Sequence, residues 1–221
     1  SDSNVRIRNN IIHGGTGPTT TGVSLHDQKN ISVQSNTING GSGESLSVAI
    51  ALHDCKPEIL NNILFTSGSA GQAGIEEHDA TAQAESLRNT LFYDFTGLDG
   101  DDETVPLMPY VPYEADVLWT AGEMEAHFGA NCSDVVIDDP AFEEIDGPDD
   151  DIDTMEDNDW HLTDGNADAY AGGIDLSSLY TTDLEGTERT DPWSIGAYEH
   201  EVPLARRLEG GLHRAAGGIQ T

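Results

Sequence analysis

Four stretches of this chain read almost as one, and that limits its folds more than anything else in it. Val5-Arg6-Ile7-Arg8-Asn9-Asn10-Ile11-Ile12 aligns with Ile31-Ser32-Val33-Gln34-Ser35-Asn36-Thr37-Ile38. Pro57-Glu58-Ile59-Leu60-Asn61-Asn62-Ile63-Leu64 and Glu85-Ser86-Leu87-Arg88-Asn89-Thr90-Leu91-Phe92 continue the series. The anchoring asparagines Asn10, Asn36, Asn62 and Asn89 are spaced by 26, 26 and 27 residues. Each unit alternates apolar and polar residues, which is the signature of a strand. An Asn follows, then a second short apolar pair and a glycine-rich step. Asn tolerates the left-handed region better than most residues, so it predicts a sharp bend between two strands. The asparagines are read as scaffold, their amides bonding from coil to coil.

A second element recurs between the asparagines. Gly22-Val23-Ser24-Leu25-His26-Asp27, Ala49-Ile50-Ala51-Leu52-His53-Asp54 and Gly74-Ile75-Glu76-Glu77-His78-Asp79 each end a strand in His-Asp. Every unit therefore holds three short strands, and none reads as a long amphipathic helix. Such a unit cannot close its own core and must stack on its neighbours. The predicted fold is all-β, a right-handed parallel β-helix whose coils repeat at ~4.8 Å.

The Asn-Asn-Ile and Asn-Thr-Ile coils resemble the parallel β-helix repeats of pectate-lyase-like secreted proteins. Downstream come Asp139-Pro140-Ala141-Phe142, Asp159-Trp160-His161-Leu162 and Asn166-Ala167-Asp168-Ala169-Tyr170-Ala171-Gly172. Asp183-Leu184-Glu185-Gly186-Thr187-Glu188-Arg189 and Ile195-Gly196-Ala197-Tyr198-Glu199 complete the set. Together they resemble the closing module of the choice-of-anchor surface proteins of bacteria. The chain departs from that pattern at Asn166-Ala167, where Ser-Pro is usual, and at Tyr170, where Asp is more common. The expected organisation is β-helix coils over 1–100, an acidic loop-rich segment over 101–158 on the last coils, a C-terminal module over 159–200 sealing the last coil, and a tail over 201–221. The chain is expected to open inside a coil, and Ser1-Asp2-Ser3-Asn4 reads as a mature or truncated start with no signal peptide. That predicts either a fragment of a longer protein, the preferred reading, or end-to-end stacking on another copy.

Charge narrows the partners. The 221 residues carry 41 Asp and Glu against 9 Lys and Arg, a net charge of −32. Between Asn89 and Glu188 there are 28 acids and no Lys or Arg. Nucleic acid is excluded as a partner, since no basic stripe exists to release its counterions. Anionic bilayers are disfavoured likewise. The longest apolar run, Val48 to Leu52, is far short of the ~20 residues of a membrane span. So acidic a surface fits a high-salt or marine habitat, where screening relieves self-repulsion, and it fits calcium, which takes clustered carboxylates. The candidate calcium ligands are Asp99, Asp101 and Glu103 in one loop and Asp149, Asp151 and Asp153 in another. Neither loop is an EF-hand, because Thr104 and Thr154 stand where the turn needs Gly.

His26, His53 and His78 are the candidate catalytic residues. On successive coils they would stack about 5 Å apart, each followed by an acid. Stacking by repeat ancestry is the preferred reading; metal binding and general-base catalysis are the alternatives. Uronate chemistry needs cations to neutralise the substrate, and the repeat offers only Arg6, Arg8, Lys29, Lys56 and Arg88. The boxes of the β-helix hydrolases are missing. Cys55 and Cys132 permit one disulfide. By resemblance, the expected function is that of a secreted or cell-surface bacterial module, structural or adhesive, with polysaccharide as its ligand. The alternative is the C-terminal part of a polysaccharide lyase or glycoside hydrolase whose active coils lie upstream.

Overall fold

The computed structural model describes residues 4–27, 30–68, 71–93, 108–149, 151–155 and 157–200. Strands β1 (Val5–Arg8), β2 (Ile11–His13) and β3 (Thr16–His26) form the first coil. The second comprises β4 (Ile31–Gln34), β5 (Thr37–Asn39) and β6 (Ser42–His53), and the third β7 (Glu58–Leu60), β8 (Ile63–Phe65) and β9 (Gly71–Glu77). A less regular continuation follows: β10 (Ser86–Arg88), β11 (Leu91–Phe92), β12 (Met108–Val111), helix α1 (Ala121–Phe128), β13 (Cys132–Ser133) and β14 (Val136–Ile137). Corresponding strands pair in parallel into sheets of five, five and four, ordered β1-β4-β7-β10-β13, β14-β11-β8-β5-β2 and β12-β9-β6-β3. The fold is a parallel β-solenoid, as the repeat predicts. Its sheets run past residue 100 into the acidic segment.

Register makes the core. Ile7, Val33, Ile59, Leu87 and Cys132 stack in the first sheet. Ile12, Ile38, Leu64 and Phe92 stack in the second, and Val23, Ile50, Ile75 and Tyr110 in the third. Within these columns the middle coils are sealed: Val33, Ile38, Ile50, Ile59, Leu64 and Ile75 are fully buried. Cys55 and Cys132 are buried free thiols. Burial raises both above the ordinary thiol range, Cys132 to about 11.

The bend departs from expectation by one residue. Left-handed backbone falls on Asn9, Ser35, Asn61, Asn89 and Asp134, with φ from 46° to 56°. The residues after these form the inner ladder. Asn10 Nδ2 donates to Asn36 Oδ1 at 3.0 Å, and Asn36 Nδ2 to Asn62 Oδ1 at 2.9 Å. The backbone N–H groups of Asn10 and Asn36 donate to the same two oxygens. Above Asn62 stands Thr90, not Asn89, because Leu91 pairs with Ile63. Matching Asn to Asn put the last step at 27 residues; the strand register makes it 28. Asn89 instead belongs to the outer column.

That outer column holds the C-terminal segment. Beyond β15 (Phe142–Glu144), β16 (Asp159–Leu162) and the short α2 (Ala167–Tyr170), the chain runs back toward the first coil. Asn89 Nδ2 donates to Gly172 O at 2.7 Å. Asn61 Nδ2 donates to Ile174 O, and Ile174 N returns a bond to Asn61 Oδ1, both at 2.8 Å. Tyr180 Oη donates to Ser35 Oγ, and Asn9 Nδ2 to Thr182 O. Residues 159–200 therefore lie along the flank as a strap and do not seal the last coil as expected. The physical reason is an apolar outer face: Ile63, Phe65, Leu91 and Tyr93 pack outside the second sheet against Trp160, Leu162, Ala169 and Ile195. A sheet covered on both faces reads as continuous apolar runs, as in Ile63-Leu64-Phe65.

The strap is latched by the motif residues themselves. Asp183 accepts from the N–H groups of Glu185, Thr187 and Glu199. Arg189 donates to the carbonyls of Ser194, Gly196 and Ala197 and to Asn9 Oδ1 on the first coil. Its partner Glu199, 3.5 Å away, also accepts from Thr190 N and Ser194 N. Among the described residues no helix is long and apolar enough to cross a membrane.

Candidate functional site

In the third sheet β3 and β6 both end in His and pair so that His26 lies against His53, while β9 stops one residue short of His78. The imidazoles of His26 and His53 stack with centroids 4.0 Å apart and planes 6° from parallel. His53 and His78 follow at 4.1 Å and 17°. The expected ladder is therefore present and is a continuous stack of rings. Asp27 and Asp54 follow in left-handed backbone, turning the chain away from the sheet. Thr81 Oγ1 lies between the carboxylates of Asp54 and Asp79, 2.5 and 2.6 Å from an oxygen of each, with a single proton to share between them. That hydroxyl holds Asp79 down to about 2.

His26 and His78, at the ends of the row, are exposed, and His53 between them is half-buried. His26 Nε2 meets Ser24 Oγ at 2.8 Å. His78 Nε2 lies 3.0 Å from Glu76 Oε2, yet that oxygen has no hydrogen-bond partner, so the approach is electrostatic and out of line. Lone pairs lie in the ring planes, and nearly parallel planes do not converge on one ion at the ~2.0–2.1 Å of a metal–nitrogen bond. The stack offers a line of hydrogen-bonding edges beside carboxylates.

Burial, then the neighbouring charges of His78 and His26, hold His53 below its ordinary value. Folding thus favours neutral His53. Its stability contribution is present above the free-histidine value of about 6.5 and is lost as pH falls from there through the depressed value. The melting temperature of wild type is expected to drop between neutral and mildly acidic pH, and His53→Gln should flatten that drop. An identical pH profile in the variant would contradict mutual repulsion within the stack.

A second histidine cluster is absent from the repeat pattern. His161 Nδ1 meets Asp159 Oδ1 at 2.5 Å and Nε2 meets Glu185 Oε2 at 3.4 Å, while its ring stacks on Tyr198 at 3.9 Å. Burial works to lower His161, but Asp159 and Glu185 outweigh it and hold it above its ordinary value. Its stability contribution has the opposite sign, present below about 6.5 and lost as pH rises through the raised value. Asp159 and His161 project from the same face of β16, so the alternation Asp-x-His was the available signal. A cleft of about 410 Å³ opens beside them, lined by Glu143, Asp159, His161, Leu162, Glu199 and His200.

Of the candidate calcium ligands, Asp99, Asp101 and Glu103 lie outside the described residues. Asp149 Oδ1 accepts from Asp151 N and Asp151 Oδ1 from Asp153 N, so these carboxylates cap their own turns. Asp153 accepts from His13 Nε2 at 3.0 Å and Ser67 Oγ at 2.7 Å, pinning the acidic loop to the solenoid. His13 Nδ1 accepts from Gly15 N, which places its proton on Nε2. Among the described residues no three His, Cys, Asp or Glu side chains form a metal-sized cluster. Compared with family models, curated proteins and solved structures, the chain finds no match in any of the three.

Proposed function

We propose that this chain is an extracellular or cell-surface solenoid module, structural or adhesive in role, that binds polysaccharide along the His26–His53–His78 row. The observation that carries the reading is the row itself: three imidazoles at 4.0 and 4.1 Å spacing on successive coils, with Asp27, Asp54 and Asp79 beside them. A rigid line of ring nitrogens and carboxylates supplies donors and acceptors to a chain of hydroxyl groups. Its side chains are already ordered by stacking, which lowers the entropic cost of binding. A net charge of −32 favours a neutral polymer over a polyuronate. The resemblance of the coils and strap motifs to secreted surface proteins supports the location.

The test is affinity electrophoresis through gels containing a neutral β-glucan, a mannan or a xylan. Retardation of wild type by at least one polymer, and its loss in His53→Ala, is the expected result. Wild-type mobility unchanged in every gel would contradict the proposal. The same protein, supplied with calcium, is expected to release no unsaturated or reducing ends from pectate, alginate or polygalacturonate. Turnover that vanishes in His53→Ala would make the row an active site instead.

A further inference from the structure

We infer that Tyr113 is the fourth rung of the histidine row, an aromatic platform on which one sugar ring of an extended β-1,4-linked chain lies flat. The ligand class rests on the carbohydrate-binding reading of the row, whereas the place of Tyr113 in the row is argued from the solenoid alone.

The fourth strand of the third sheet carries the row past the last histidine. β12 pairs in parallel with β9, with Met108 opposite Ala73, Tyr110 opposite Ile75 and Val111 opposite Glu76. Two residues further on, Tyr113 comes level with His78. The backbone there repeats the earlier rungs. Asp27 and Asp54 follow His26 and His53 with φ of 47° and 49°, and Glu114 follows Tyr113 with φ of 51°. Each of these rungs is a ring followed by an acid in left-handed backbone. Glu77, the neighbour of His78, fixes the position: its Oε1 accepts from Tyr110 Oη at 2.6 Å and its Oε2 from Tyr113 N at 3.0 Å. Glu114 first, and also Asp79, the acid that follows His78, hold the Tyr113 phenol above its ordinary value. The ring therefore stands within electrostatic reach of the row. Residue spacing hides the rung, because the step from His78 is 35 residues where the two before it are 27 and 25.

This rung offers what the histidines do not. Tyr113 is 40% exposed, and among the described residues no other ring packs on it. The electron-rich face of an open phenol attracts the polarised C–H bonds on the flat side of a pyranose. Ring nitrogens and carboxylates along the rest of the row meet hydroxyl groups. A sugar chain has both, hydroxyls at its rim and apolar faces between them. The three imidazoles stack at 4.0 and 4.1 Å with planes 6° and 17° apart, so the row is straight. With Tyr113 it spans three coil steps, roughly 14 Å in all. A straight line of that length suits the extended ribbon of a β-1,4-linked glucan, whose hydroxyls are equatorial and whose faces are flat. An α-1,4-linked chain coils and leaves the line after a short contact.

The experiment is titration of the whole chain with cellohexaose and with maltohexaose, read by calorimetry and by the proton spectrum of the sugar. Cellohexaose is expected to bind at least about tenfold more tightly, the difference made by one stacked ring. Ring protons of one bound unit should move upfield, since they lie over the phenol face. Tyr113→Leu keeps apolar bulk without a ring; it should weaken cellohexaose by about tenfold and abolish the upfield shift. Tyr113→Phe should retain both. Trp119→Leu, which removes an exposed aromatic off the row, should leave both unaltered. Equal affinity for the two hexamers, an unchanged affinity or upfield shift in Tyr113→Leu, or an equal loss in Trp119→Leu would overturn the inference. If His53→Ala abolishes cellohexaose binding and Tyr113→Leu leaves it intact, the fourth rung falls and the row stands. Retention of another neutral polymer without binding of cellohexaose would likewise remove the rung alone. If the wild type binds neither cellohexaose nor any neutral polymer, row and rung fall together.

Discussion

Arg189→Leu is expected to destabilise the protein by about 3–5 kcal/mol, the cost of removing one partner from a buried ion pair. The guanidinium is fully buried and Glu199 is 4% exposed. Leucine would leave the Glu199 carboxylate without its countercharge and three backbone carbonyls without their donor. It would also cut the bond to Asn9, which ties the strap to the first coil. Arg189→Lys should recover little, since an ammonium cannot reach the same fork of acceptors. Denaturant unfolding measures the loss, and limited proteolysis locates it. Early cleavage between Gly172 and Glu199 with the coils still protected is the expected pattern; a loss below about 1 kcal/mol would mean that the network is solvated.

Asn62→Leu is the second large effect, at roughly 2–5 kcal/mol, because several buried polar groups lose their partners together. Asn62 Oδ1 accepts from both the backbone and the side chain of Asn36, and Nδ2 donates to Val33 O and Leu60 O. All of these lie in the buried middle coils, where water cannot replace the lost bonds. Asn10→Leu should cost distinctly less, since Asn10 is only half-buried. Equal losses at the two positions would contradict a ladder whose strength follows burial.

Much of this was written in the sequence. The Asn-Asn-Ile repeat announced the solenoid, and the His-Asp endings announced the ring stack, because both columns recur at nearly constant spacing. At the fourth rung residue identity and strand register part: Asn89 matches Asn62 in type, but the loop after His78 is longer and brings Thr90 above Asn62. The strap's course was less legible. Its motif residues are visible, yet the repeat points to Asn10, Asn36 and Asn62 as the bends and not to Asn9, Ser35 and Asn61, and nothing local says that a bend's outer side chain holds another segment. Runs such as Ile63-Leu64-Phe65 did carry the hint that the second sheet is covered twice. The Asp159–His161–Glu185 cluster was hidden because Glu185 comes from a turn joined to β16 only through the folded strap.

The central claim is that the row of imidazoles is the surface that holds a glycan. Imidazole ¹H–¹⁵N spectra of the whole protein, titrated with an oligomer of whichever neutral polysaccharide retards it, test this most directly. The account predicts that His26, His53 and His78 resonances shift together and saturate at one affinity. His13, only 7% exposed and bound to Asp153, should stay still as the internal reference. Saturable binding with all three row signals unmoved would contradict the account.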